Sequence, residues 1–153
     1  DLQGQLERYQ AWLDGQHERP APLNTAPLTS NLMRMTDLVE RERQGPRQKR
    51  LRSSRWQQRL RLWQLVQFHW IAWERLIEGL PQLDITQATP LQQSITGLHR
   101  QLQGVAQATP RPQPQRWQQL AQSQQLPLLQ LLALEEETRP LHASLGSLAR
   151  LPC

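Results

Sequence analysis

Residues 47–80 read RQKRLRSSRWQQRLRLWQLVQFHWIAWERLIEGL. Within this stretch Trp56, Leu60, Trp63, Val66, Trp70, Trp73, Ile77 and Leu80 recur at spacings of three or four. That is the period of one helix face. Leu62, Leu65, Phe68, Ile71 and Leu76 widen the stripe, so the C-terminal half is apolar on most sides. A helix of that kind is expected to be central and touched by several neighbours. Gly45-Pro46 before it and Pro81 after it set its limits at Arg47 and Leu80. At 1.5 Å per residue it spans roughly 50 Å.

The flanks are helical too. Leu2, Leu6, Tyr9 and Leu13 lie on one face of a short helix closed by Gly15. Pro20, Pro22 and Pro27 make residues 19–26 an extended connection. Thr29 or Ser30 is expected to cap a second helix with Leu32, Met35, Leu38 and Val39 on its apolar stripe. Thr89-Pro90-Leu91-Gln92 has the form of a capping box with proline in the first turn, followed by Leu91, Ile95, Leu98, Leu102 and Val105. A proline-bearing loop covers 107–115, and a fifth helix starts near Arg116 with Trp117, Leu120 and Ala121 on one side. Pro127 interrupts or opens the last helix, whose stripe continues through Leu134, Leu141, Leu145 and Leu148 past a kink or short break at Pro140. The expected fold is all-α: a bundle of five to six helices around the long Trp-rich one. Residues 1–153 form a single domain, with 1–28 as N-terminal helix plus connection and 29–153 as the bundle.

Composition agrees with this. Leu and Gln make up about a third of the 153 residues, and both favour helix. The single cysteine, Cys153, excludes a disulfide framework. No stretch of 18 apolar residues occurs, so this piece carries no membrane span. The chain starts at Asp1 without Met, which reads as a trimmed or excised piece of a longer protein.

Motifs of chemistry are sparse. His17, His69, His99 and His142 are scattered without companion ligands, so no metal site is expected. His69, inside the Trp-rich segment, reads as a satisfied or partly exposed core residue. The glycines form no phosphate loop, and the serines lack a nucleophile context. Glu135, Glu136 and Glu137 point about 100° apart on a helix and read as a solvated face. The expectation is a non-enzymatic interaction domain with no cofactor and no small-molecule substrate.

The clearest local signal is basic. Net charge is +5, and Lys49 is the only lysine among many arginines. Arg41, Arg43, Arg47, Lys49, Arg50, Arg52, Arg55, Arg59 and Arg61 crowd one window, opposed there by Glu42 alone. Several fall at a helix N-terminus, where the dipole disfavours cations. The patch Arg47, Lys49, Arg50, Arg52, Arg55 and Arg59 is therefore a candidate surface for lipid headgroups or nucleic acid. A solvated face, with arginine stems covering Trp and Leu, is the plainer alternative. Trp56, Trp63, Trp70 and Trp73 are candidates for packing, either in the core or against a partner.

The pieces NLMRMTDLVERERQGPRQKRLRSSRW, LQQSITGLHRQLQGV and LHASLGSLARL lie between Leu32 and Leu151 or just before them. Together they resemble the soluble helical region of fusaric-acid-resistance-type inner-membrane proteins, which are similar to aromatic acid exporters. The resemblance implies a cytoplasmic helical domain of a bacterial transporter-like protein, attached to the inner membrane through segments outside this chain. It brings no catalytic or transport residue with it. Arginine excess beside membrane helices fits the cytoplasmic side. A protein partner or homo-oligomer is expected. A nucleic-acid-associated accessory protein and a free-standing helical adaptor or chaperone remain the alternatives.

Overall fold

In the computed structural model, residues 2–15, 18–81, 88–105 and 111–151 are described; for 47–53 this covers the backbone but not the side chains. Six helices follow in order: α1 (Leu2–Leu13), α2 (Ala26–Arg43), α3 (Arg47–Glu78), α4 (Thr89–Leu102), α5 (Pro114–Gln124) and α6 (Leu128–Arg150). No strand occurs among the described residues.

The helical stripes read from the sequence form the core. Val66, Trp70, Trp73 and Ile77 of α3 are buried at spacings of four, three and four. They meet Leu131, Leu134, Leu141 and Leu145 of α6, and Leu91, Ile95 and Leu98 of α4 complete the same cluster. Tyr9 stands edge-on to Trp73, with ring centroids 5.3 Å apart. The Trp73 indole N–H donates to Thr138 Oγ1 at 3.1 Å, so its one polar atom is satisfied inside the core. The helix that gathers neighbours is α6: α3, α4 and α5 all pack on it, while α3 packs chiefly on α6 and α2.

Several helix ends differ from expectation. The second helix begins at Ala26, before Thr29 and Ser30, because proline is accepted in a first turn where its missing N–H loses nothing. Thr29 instead accepts the Gln67 side-chain amide at 2.5 Å, linking α2 to α3. Thr89 is the first residue of α4 and makes no side-chain cap. Gln92 donates to the Leu13 carbonyl at 3.2 Å, across to the end of α1. α5 starts at Pro114, slightly before Arg116. α6 runs unbroken through Pro140.

Near the C-terminal end of α3 sits Glu74, a carboxylate that is only 3% exposed. Its Oε2 accepts from the Tyr9 hydroxyl at 2.7 Å and from Gln5 Nε2 at 3.1 Å. Oε1 accepts from the Trp70 indole N–H at 2.5 Å and from the Leu23 backbone N–H at 3.0 Å. Three residues near the chain start, Gln5, Tyr9 and Leu23, thus meet on one α3 side chain. Arg19 fastens the same segment to the end of α3: its guanidinium donates to the carbonyls of Leu80 at 2.6 Å and Pro81 at 3.0 Å. It lies over the Trp12 ring at 5.1 Å. A cation on the free carbonyls after a helix satisfies both their lone pairs and the dipole.

Burial, and then the hydrogen bond to Glu74, push the Tyr9 phenol well above its ordinary value of 10. The unfolded chain therefore loses this proton near pH 10 while the folded one keeps it. Stability is full below that pH and falls above it, by up to about 1.4 kcal/mol per pH unit. Urea unfolding across the alkaline range is expected to show this slope. Tyr9→Phe should abolish it and should also cost about 1.5–3 kcal/mol at neutral pH, through the lost bond to a buried carboxylate.

Candidate functional site

α2 and the first half of α3 form a hairpin joined by Gln44, Gly45 and Pro46. Only Leu32 and Val39 of α2 are buried. Leu38 is 58% exposed and Met33 is 65% exposed. The expected single stripe is thus divided, for a geometric reason. Leu38 and Val39 are adjacent and point about 100° apart, so one packing partner cannot cover both. Val39 faces inward, and Leu38 is left to an apolar groove.

That groove has a volume of about 430 Å³ and is lined by Met35, Leu38, Val39, Glu42 and Trp56. Trp56 remains 44% exposed, and the Arg59 guanidinium lies 5.7 Å from its ring centroid. A cation at that distance is held by the ring quadrupole and keeps its charge near the apolar surface. Arg41 and Arg43 occupy the last turn of α2, where the helix dipole favours them. Arg43 approaches Glu40 at 3.9 Å, an exposed pair of little energetic weight. Arg55 and Arg61 are exposed.

Of the predicted patch, Arg55 and Arg59 flank Trp56 on α3. Arg47, Lys49, Arg50 and Arg52 lie on the first turns of the same helix, and their side chains are outside the described residues. The four tryptophans take different places. Trp70 and Trp73 are core residues, 1% and 0% exposed, and face the chain's own helices, not a partner. Trp63 is partly buried and packs against that core. Trp56 alone of the four is an exposed large side chain. Sequence reasoning missed the Met35–Leu38 wall; its signal was the adjacency of Leu38 and Val39.

The remaining candidates have structural partners. His69 Nδ1 meets Glu137 Oε1 at 2.6 Å, and Glu135 accepts the Gln113 backbone N–H at 2.9 Å. Two of the three glutamates expected on a solvated face are therefore engaged. Among the described residues no group of three His, Cys, Asp or Glu is placed to hold a metal ion. No helix among them is long and apolar enough to cross a membrane. Compared with known proteins, the chain matches no family, no curated protein and no solved structure.

The difference between the tryptophans is measurable. Trp73→Ala is expected to cost about 3–5 kcal/mol, as a large core truncation does. Trp56→Ala should stay within about 1 kcal/mol, because a half-exposed ring leaves no closed cavity. Denaturant midpoints of the two variants check this.

Proposed function

We propose that this chain is a non-catalytic helical interaction domain that engages an anionic membrane surface through the α2–α3 hairpin. One observation carries the reading: an exposed Trp56 and Leu38 share an apolar groove, Arg59 lies over the Trp56 ring, and Arg55 is exposed beside it on α3. A merely solvated basic face gains nothing by exposing these side chains. An interfacial surface uses both kinds, burying tryptophan and leucine at the headgroup boundary while cations meet lipid phosphates. Arginine suits this role because it keeps its charge and pairs with phosphate through a planar fork.

The resemblance of Leu32–Leu151 to the soluble region of fusaric-acid-resistance-type proteins supports the same placement. In that reading the domain lies on the cytoplasmic side of a bacterial inner membrane and helps assemble or regulate a transporter-like protein. Nucleic acid is the competing partner, since Trp56 beside Arg59 also resembles a base-stacking platform. Met33, Met35 and Leu38 favour lipid, because they offer no ring for a base to stack on.

Co-sedimentation with vesicles tests the proposal. The chain is expected to bind phosphatidylglycerol-containing vesicles at low salt, and to bind pure phosphatidylcholine far more weakly. Salt of about 0.5 M should release it, because exposed charges are then screened. Arg55→Ala and Arg59→Ala should each weaken binding about fivefold, near 1 kcal/mol per cation. Leu38→Ala/Trp56→Ala should weaken it further without unfolding the chain. Equal binding to both vesicle types, or tighter retention on an oligonucleotide than on anionic vesicles, would overturn the reading.

A further inference from the structure

A second cationic surface lies away from the hairpin. Where α5 leans on α4 and α6, the junction encloses a cleft of about 100 Å³. Arg111, Arg116 and Arg139 line it, from the segment before α5, from α5 itself and from the middle of α6. Glu135 is the single acid among its lining residues, and one of its oxygens already accepts the Gln113 backbone N–H. Arg116 donates to Gln93 Oε1 at 2.9 Å, a neutral acceptor that leaves its charge uncompensated. Arg111 and Arg139 have no hydrogen bond or ion pair to any described residue.

His142 also lines this cleft and is 1% exposed. The Gln101 side-chain nitrogen lies 3.1 Å from the His142 carbonyl oxygen, which identifies it as the amide donor. The same nitrogen lies 3.3 Å from His142 Nδ1, so Nδ1 accepts. Burial lowers the pKa of His142 below its ordinary value of 6.5, which leaves the ring neutral at pH 7. A neutral ring that accepts at Nδ1 carries its hydrogen at Nε2. That atom is buried and has no partner. An unpaired buried N–H costs free energy and calls for an acceptor.

We propose that the cleft binds one compact oxyanion, a phosphate or carboxylate group, held by Arg111, Arg116 and Arg139 and accepting from His142 Nε2–H. Each part follows from the chemistry of the lining. Guanidinium forks match the oxygens of such groups. The imidazole donor requires an acceptor, which excludes a cation. The small volume, with Trp117 and Pro90 also in its lining, admits a single such group and not a nucleotide.

Thermal unfolding and calorimetric titration of the full chain, with inorganic phosphate and with sodium acetate, test this against sodium chloride at matched ionic strength. Binding of N but not U raises Tm. Phosphate or acetate is expected to raise Tm beyond chloride and to shift the His142 ring resonances. Phosphate alone assigns the site to a phosphate group, acetate alone to a carboxylate, and both to the shared oxyanion chemistry. Arg111→Gln and Arg139→Gln, both at exposed positions, should each raise Kd about tenfold. An equal effect from chloride, or affinity unchanged in the Arg111→Gln/Arg139→Gln double variant, overturns the proposal. That outcome leaves the vesicle experiment on the hairpin untouched, since the two surfaces share no residue.

Discussion

The carboxylate of Glu74 closes the bundle. The extensive helix contacts form an open chain: α3 on α6, α6 on α4, α4 on α1. What returns α1 to α3 is the Tyr9–Trp73 ring contact and the set of bonds on Glu74. Burying an ion costs several kcal/mol unless every lone pair is used. Here neutral donors use them: a phenol, an indole, a side-chain amide and a backbone N–H. Charge-assisted bonds of this kind contribute about 1.5–3 kcal/mol each. The nearest relayed cation is Arg8, which donates to Gln5 Oε1 at 2.9 Å. Losing any one donor leaves a buried charge short of a partner, so α1 and the connection after it have one acceptable position.

The same constraint explains why residues 18–25 are ordered without being helical. Prolines at 20 and 22 keep the segment extended. Its backbone groups then need partners outside any helix. Ala21 O accepts from Gln5 at 2.7 Å, and Leu23 N–H goes to Glu74. Arg19 fastens the other end to the carbonyls that α3 leaves open. The connection is thus a strap across the end of α3.

Local periodicity carried the helices and most of their buried faces, because a stripe at three and four is a property of neighbouring residues. The stripe Val66, Trp70, Trp73 and Ile77 is legible for that reason. Glu74 was not legible as a hub. In the sequence it is one charge between Trp73 and Arg75, and three of its four donors come from 51 to 69 residues away. The pairing of Gln101 with His142 spans 41 residues and was hidden in the same way. Periodicity also says which residues of a helix are apolar, not how many neighbours arrive to cover them. α2 has one main neighbour, which is why Leu38 stays outside while Val39 goes in.

Placing α2 outside the closed set of helices separates two uses of arginine. On the hairpin, Arg59 rests on an exposed ring beside an apolar groove, a geometry open to a broad surface. At the α4–α5–α6 junction, three arginines and the buried His142 line a cleft of about 100 Å³, room for a small group. α6 holds the two in fixed relation. Ser147 in its last turn and Leu151 just past its end border α3 opposite Gln58 and Arg61, while His142 lies further back along the same helix. The rise from His142 to Arg150 is roughly 12 Å. That exceeds the screening length of about 8 Å at physiological salt. On the two proposed readings, each cationic region holds its partner by direct contact. In those readings Trp56 would contribute apolar burial at the hairpin, and His142 Nε2–H a hydrogen bond at the cleft.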